Sequence, residues 1–149
     1  MDKDNQMFIG EYKYVIDDKK RLAVPAKFRT GLGNKAVVTK GLDNSLFLYS
    51  KKEWQVLAEK LSNLPFSQSD ARAFARLMLA GAMEVNIDKA GRILIPDYLK
   101  EYAGLKKESV VIGLFNRIEI WSKDRWDEYQ KKTEPEVGDI AERLKELGV

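Results

Sequence analysis

The sequence holds no cysteine and no histidine among its 149 residues. Without cysteine there is no disulfide framework and no thiolate metal site. Without histidine the chain lacks the commonest general base and the commonest transition-metal ligand. Ser-His-Asp and Cys-His catalysis are therefore both excluded. Carboxylate or lysine chemistry, or a Mg²⁺ site built from oxygens, is what remains for an enzyme. No cluster of Asp or Glu at metal-ligand spacing supports one, so no catalytic residue, metal or cofactor is expected. No stretch approaches the ~20 apolar residues of a membrane span, and no membrane partner is expected. The first six residues, Met1 to Gln6, are polar, carry Asp2 and Asp4, and do not look like a signal peptide. A cytoplasmic location is expected. Excess charge of one sign is also scarce. The net charge of +3 is too small to argue for a nucleic-acid partner, so any electrostatic argument rests on where the charge sits.

Apolar residues, at 44%, are enough for a core, and the 33% that are charged keep the surface solvated. The organising feature is an internal repeat. Ile16-Asp17-Asp18-Lys19-Lys20-Arg21-Leu22-Ala23-Val24-Pro25 reads against Ile87-Asp88-Lys89-Ala90-Gly91-Arg92-Ile93-Leu94-Ile95-Pro96 at an offset of 88 − 17 = 71, which also pairs Gly10 with Gly81. Leu46 to Trp54 reads against Ile118 to Trp126 at an offset of 126 − 54 = 72, after one inserted residue. Two collinear matches with a one-residue slip mark a duplication.

Each half gives the same coarse reading. An extended segment, Phe8 to Ile16 or Ala82 to Ile87, leads into a charged turn and a short strand, Leu22 to Val24 or Ile93 to Ile95. Pro25 and Pro96 then start short helices, for which Gly31 and Gly104 are the expected left-handed caps. Hairpins follow, Ala36–Lys40 with Ser45–Tyr49 and Ser109–Leu114 with Arg117–Trp121, turning at Gly41-Leu42-Asp43-Asn44 and at Phe115-Asn116. Ser50 and Ser122 are placed to cap closing helices. In the first of these Trp54, Leu57 and Leu61 share a face, and in the second Trp126 and Tyr129 do. Leu64-Pro65 breaks the chain between the halves. Ser69 can cap a helix from Asp70 to Ala80 whose Phe74, Leu77 and Met78 face the body. The expected divisions are residues 7–62, a helical connector over 63–80, a second half over 81–133, and a helical tail over 134–149. The tail places Ile140, Leu144 and Leu147 between charges. It reads as a helix docked on its own chain, with contact to a neighbouring subunit as the alternative.

The turn from Asp17 to Arg21 has a physical logic. Asp17 can accept hydrogen bonds from backbone N–H groups two residues on, so that Lys19, Lys20 and Arg21 project from a tight hairpin corner. Asp88 and Arg92 keep the spacing, with Lys89 beside them and Gly91 at a position suited to φ > 0. Arginine best holds a phosphate or a guanine edge through two parallel hydrogen bonds. On the residues alone two readings stand: a binding corner, or a solvated turn with a surface ion pair worth ~0–1 kcal/mol. Lys13, Lys19, Lys20, Arg21, Lys27, Arg29, Lys35 and Lys40 gather basic charge in the first half. The aromatic pairs Tyr49/Trp121 and Trp54/Trp126 could stack on bases, but they alternate with apolar residues in register and read as core.

The two Asp-x-x-x-Arg turns with their prolines, the stretch from Ala71 to Ala82, and Ile118-Glu119-Ile120-Trp121-Ser122-Lys123-Asp124-Arg125-Trp126 together resemble the MraZ family, within the wider AbrB/MazE (SpoVT-AbrB) swapped-hairpin group. The resemblance runs from Phe8 to Trp126. It implies a mainly β fold with flanking helices (α+β): an internally duplicated swapped-hairpin β-barrel whose halves form one pseudo-dimer. It further implies a bacterial transcription factor, in the cytoplasm with the nucleoid. Such a factor binds double-stranded DNA repeats in the promoter of the division and cell-wall gene cluster and assembles with itself into a ring. By position match, Arg21 and Arg92 would contact DNA, while Asp17 and Asp88 shape the turns with Gly91. Lys19, Lys20 and Lys89 would contact phosphates, an expectation that rests on their place in the turns and not on the family's motif. The family often has glycine before the arginine, and Lys20 departs from that. An alternative within the fold group is a protein-interaction module of the antitoxin type.

Overall fold

The structure is a computed structural model that describes residues 7–149; the polar segment Met1 to Gln6 lies outside the described residues. In chain order it comprises β1 (Phe8–Val15), β2 (Arg21–Ala23), α1 (Ala26–Leu32), β3 (Lys35–Lys40), β4 (Leu46–Ser50), α2 (Lys51–Ser62) and α3 (Ser69–Ala75). A π-helical turn (Arg76–Ala80) leads to β5 (Met83–Asn86), β6 (Arg92–Leu94), α4 (Asp97–Ala103), β7 (Glu108–Phe115), β8 (Arg117–Ser122), α5 (Lys123–Thr133) and α6 (Val137–Arg143).

Six strands form one antiparallel sheet in the order β1-β7-β8-β4-β3-β5, and β2 pairs with β6 in a separate two-stranded ribbon. Exchanging the halves (β1 for β5, β3 for β7, β4 for β8) maps this order onto itself. Each half lends its first strand to the other: Phe8 pairs with Phe115 at one edge, and Lys35 with Asn86 at the other. The mainly β, duplicated, interlocked architecture is as the sequence implied. The expected barrel is corrected: the sheet has two ends, β1 and β5, and does not close on itself by hydrogen bonds, because β2 and β6 pair with each other in a separate ribbon. In the ribbon Leu22 faces Ile93, which the repeat offset identifies as the same residue in the two halves, so the ribbon straddles the pseudo-twofold axis.

The sheet is covered on both faces, which is why its four central strands are apolar almost throughout. On one side Ala36, Val38, Leu46, Leu48, Val111, Ile118 and Ile120 pack against Leu22, Ile93, Phe28 and Leu99 from the ribbon, α1 and α4. On the other, Phe47 and Tyr49 join Leu61 and Met78 under α2, while Val110, Ile112 and Trp121 pack under α5. The aromatic pairs are spent on this packing: Tyr49 lies 5.9 Å from Trp54 and Trp121 5.2 Å from Trp126, centroid to centroid. Glu119, nearly buried, accepts from the Trp121 indole N–H at 2.9 Å and from Arg117 Nε and Nη2 at 3.2 and 3.1 Å.

Local chemistry sets the boundaries. Ser50 Oγ and Ser122 Oγ each accept the backbone N–H three residues on, both at 3.2 Å, and cap α2 and α5. The β3–β4 hairpin turns on Asp43 and Asn44 at φ 57° and 58°, closed by Ser45 N–H to Leu42 O at 3.2 Å. That is the paired left-handed geometry that matches the twist of flanking strands. The caps of α1 and α4 are Gly33 and Gly104. Gly31, expected to cap α1, lies inside it, because the helix runs on to bury Leu32.

Two expectations about helices are corrected. The connector does not face the body through Phe74, which is exposed; only Met78 is buried. Its second half winds as a π-turn, where the buried Thr39 hydroxyl donates to the Met78 carbonyl at 2.6 Å and draws that residue onto β3. The tail is not docked on its own chain: α6 has no buried residue, and Val137, Leu147 and Val149 are 64%, 76% and 88% exposed. No helix among the described residues is long and apolar enough to cross a membrane.

Candidate nucleic-acid interface

The Asp17–Arg21 and Asp88–Arg92 turns are built alike, hydrogen bond for hydrogen bond. Asp17 Oδ1 accepts from the backbone N–H of Lys19 and of Arg21, both at 2.9 Å; Asp88 Oδ1 accepts from Ala90 and Arg92, both at 2.9 Å. The backbone N–H of each aspartate donates to the carbonyl of its arginine, at 3.0 and 2.9 Å. The second carboxylate oxygen takes the arginine side chain: Arg21 Nε to Asp17 Oδ2 at 2.8 Å, Arg92 Nε to Asp88 Oδ2 at 3.3 Å. These donors hold both carboxyls below the ordinary aspartate range, the backbone N–H of the arginine contributing most in each case.

One feature of the expected corners is corrected. They are not the tips of local hairpins, because β1 and β2 do not pair with each other; β1 runs along β7 and β2 along β6. The corners instead lie at opposite ends of the short β2–β6 ribbon. Side chains alternate across a strand, and Leu22 and Ile93 point into the core. Arg21 and Arg92, one residue before each, therefore emerge together on the outward face. They are near enough that Arg92 Nη1 stands 3.7 Å from Asp17 Oδ2 of the other half. Both arginines are about one-third exposed in their side chains.

The lysines sit differently from one another. Lys19 and Lys89 are exposed at the corner tips. Lys20 is exposed too, but its ammonium pairs with Asp97 of α4 at 2.6 Å. Its backbone takes φ 63°, close to the 77° of Gly91 at the matching position. The departure at Lys20 therefore leaves the turn's shape unchanged and places an L-residue in the left-handed region.

Two neighbours were not singled out from the sequence. Asp97 meets Lys20, and Arg29 of α1 lies against Gly91. Both reach across from the helix of the opposite half, a proximity that no local pattern in the sequence signals. A polar notch of about 310 Å³ lies beside the second corner, lined by Arg29, Asn34, Asp88 and Lys89 among others. Among the described residues, no group of three Asp or Glu stands where it could hold a metal ion. The geometry can thus present a pair of guanidinium groups, each braced by a carboxylate, with lysine ammonium groups at the margins.

Comparison with known proteins gives a consistent result. A family model described as "MraZ protein, putative antitoxin-like" matches residues 7–77 and again 78–147. The chain is 54% identical over 143 residues to a protein of Caldicellulosiruptor saccharolyticus named "Transcriptional regulator MraZ", covering 96% of this chain and all of that one. A protein of the same name from Desulforamulus reducens is 52% identical over 141 residues, 95% of this chain and 99% of its own. Another from Clostridium beijerinckii is 52% identical over 143 residues, 96% of this chain and 100% of its own.

Proposed function

The chain belongs to the MraZ family, and from that premise we propose that it is a regulator of transcription that binds double-stranded DNA through its two Asp-x-x-x-Arg corners. The observation that carries this reading is the shared outward face of the β2–β6 ribbon, where Arg21 and Arg92 stand side by side and Arg92 lies 3.7 Å from Asp17. Asp17, Asp88 and Gly91 set the corner shape. The aspartates engage each arginine through Nε, which orients the outer edge of the guanidinium toward a phosphate or a guanine edge, the acceptors it fits best. Lys19, Lys20 and Lys89 add sequence-independent phosphate contacts.

One pair of corners binds weakly. In this reading the protein acts as a homo-oligomeric ring, in the cytoplasm and with the nucleoid, that sets several pairs on one face. Linked contacts raise effective concentration and convert weak units into tight binding. Repeats in the promoter of the division and cell-wall gene cluster would then lie about 10 base pairs apart, so that successive pairs meet the same groove. The exposed apolar side chains of the tail, Val137, Leu144 and Leu147, support contact between copies of the chain. The antitoxin-type reading draws on the same tail, which would then hold a different protein.

The test is a gel shift with the chain's own upstream DNA over graded salt. The wild-type protein retains the repeats, and its affinity falls steeply with salt. Arg21→Ala together with Arg92→Ala abolishes retention while the assembly keeps its mass in light scattering. Unchanged affinity of that variant would refute the site.

A further inference from the structure

The two corners are supported in different ways. At the second, Gly91 is buried at φ +77°, and a Cβ there would lie 2.1 Å from Cζ and Nε of Arg29 and 2.5 Å from Nη2. Arg29 comes from α1 of the first half. Its Nε donates to the Val24 carbonyl at 3.0 Å, and the Val24 N–H donates to the Gly91 carbonyl at 2.8 Å. The guanidinium thus occupies the space that glycine leaves, and it is tied to Val24, whose N–H holds the Gly91 carbonyl.

The repeat offset supplies the internal comparison. The counterpart of Gly91 is 91 − 71 = 20, Lys20, and that of Arg29 is 29 + 71 = 100, Lys100. The backbone bond is kept, Ile95 N–H to the Lys20 carbonyl at 2.9 Å. The seat is not: Lys20 has a side chain where the guanidinium would rest, and lysine at 100 has no planar group to put there. Across the halves the first corner is tethered instead by the exposed Lys20–Asp97 pair and by the 3.7 Å approach of Arg92 to Asp17, ion pairs of a kind that contribute little rigidity.

We infer that Arg29 is a positioning residue for Arg92 and not for Arg21, so that each chain carries one preset corner and one adaptable corner. This rests on the proposal that the corners bind DNA. A contact already ordered in the free protein loses less freedom on binding. Arg92 therefore contributes more to affinity than Arg21, and Arg92→Ala weakens binding more than Arg21→Ala.

The experiment uses the full chain with Arg29→Ala and Arg29→Lys, each alone, with Arg92→Ala, and with Arg21→Ala. Gel shifts with the upstream DNA are read beside amide hydrogen exchange of residues 17–21 and 88–92. Arg29→Ala is expected to weaken binding about five- to tenfold, within the range for coupled neighbours. The effect disappears when Arg92 is already alanine and persists when Arg21 is. Arg29→Lys, which keeps the charge but loses the planar seat, behaves like Arg29→Ala. Exchange accelerates at 88–92 and stays unchanged at 17–21. The inference is overturned if Arg29→Ala weakens binding as much without Arg92, if lysine restores binding, or if both segments exchange faster together. If the wild-type chain fails to retain the DNA, the binding proposal falls, while the exchange comparison still decides whether Arg29 holds the second corner.

Discussion

Asp17 of the first half and Arg92 of the second stand 3.7 Å apart, so one carboxylate oxygen serves guanidinium groups from both repeats. Asp88 shows no matching reach toward Arg21; its second oxygen serves Arg92 alone among the described contacts. Asp17→Ala should therefore disturb both corners and Asp88→Ala only one. Asp17→Ala is expected to weaken DNA retention about tenfold, inside the range for losing an arginine contact itself, and Asp88→Ala less. Gel shifts of the two variants beside Arg21→Ala and Arg92→Ala give the order directly, and an inverted order would count against the shared carboxylate.

The same carboxyls fix the acid response. Their folded values lie below the ordinary aspartate value because backbone N–H groups hold the ionised form. A depressed value contributes stability that is present above the unfolded value of about 3.9 and is lost as pH falls through the depressed one. The corners should stay intact from neutral pH down through the range where an unfolded aspartate titrates, and loosen only below it. Carboxyl titration by NMR checks this: midpoints for Asp17 and Asp88 at or above the ordinary value would contradict the geometry. Asp17→Asn and Asp88→Asn should each remove one low midpoint.

Lys20 separates stability from binding. An L-residue in the left-handed region costs about 1–2 kcal/mol, and glycine regains part of that while adding ~0.5–1 kcal/mol of chain entropy to be lost on folding. The exposed pair with Asp97 is worth ~0–1 kcal/mol. Lys20→Gly is thus expected to leave stability within about 1 kcal/mol of the wild type in urea denaturation. It also removes a cation from the corner. DNA affinity should fall, and the slope of log affinity against log salt should shrink by about one.

Phe28 tests the core beneath the ribbon. It is fully buried and meets Phe8 and Tyr12 edge-on at 5.3 and 5.4 Å. Phe28→Ala is expected to cost about 3–5 kcal/mol, read by chemical denaturation. A loss under 1 kcal/mol would mean that α1 does not close this core.

Ending the chain at Thr133 removes α6, which has no buried residue. The thermal midpoint of the body should stay within a degree or two, while the assembly measured by light scattering becomes smaller. A large drop in midpoint at unchanged mass would place the tail on its own chain after all.

What the sequence made legible was local or repeated. The caps at Ser50 and Ser122, the Asp43-Asn44 turn, the aromatic packing and the duplication each rest on chemistry within a few residues or on the 71-residue offset, whereas the cap expected at Ser69 does not form, the helix there starting after Gln68. What it hid was pairing at a distance. Nothing in Phe8 to Val15 says that its neighbour is β7 rather than β2, because the hydrogen-bonding groups are identical along every strand. The same blindness left Arg29 and Asp97 out of the corner, since each belongs to it only through the exchange of strands. Gly31 reads as a helix end from sequence, and only the burial of Leu32, which depends on the packed core, carries the helix on to Gly33. A 3.6-residue period puts Phe74 on the face of Met78, and the π-turn at Arg76–Ala80 does not keep that period.

The exchange of first strands also governs how the chain is made. β1 finds its partner about a hundred residues downstream, Phe8 opposite Phe115, so a ribosome adding ~5–20 residues per second leaves it unmatched for roughly 5–20 s. Through that interval Phe8, Tyr12 and Tyr14 have no finished surface to lie on. Half-made copies growing side by side on one message could trade these strands with each other, so that crowded translation is a route to strand-swapped misassembly.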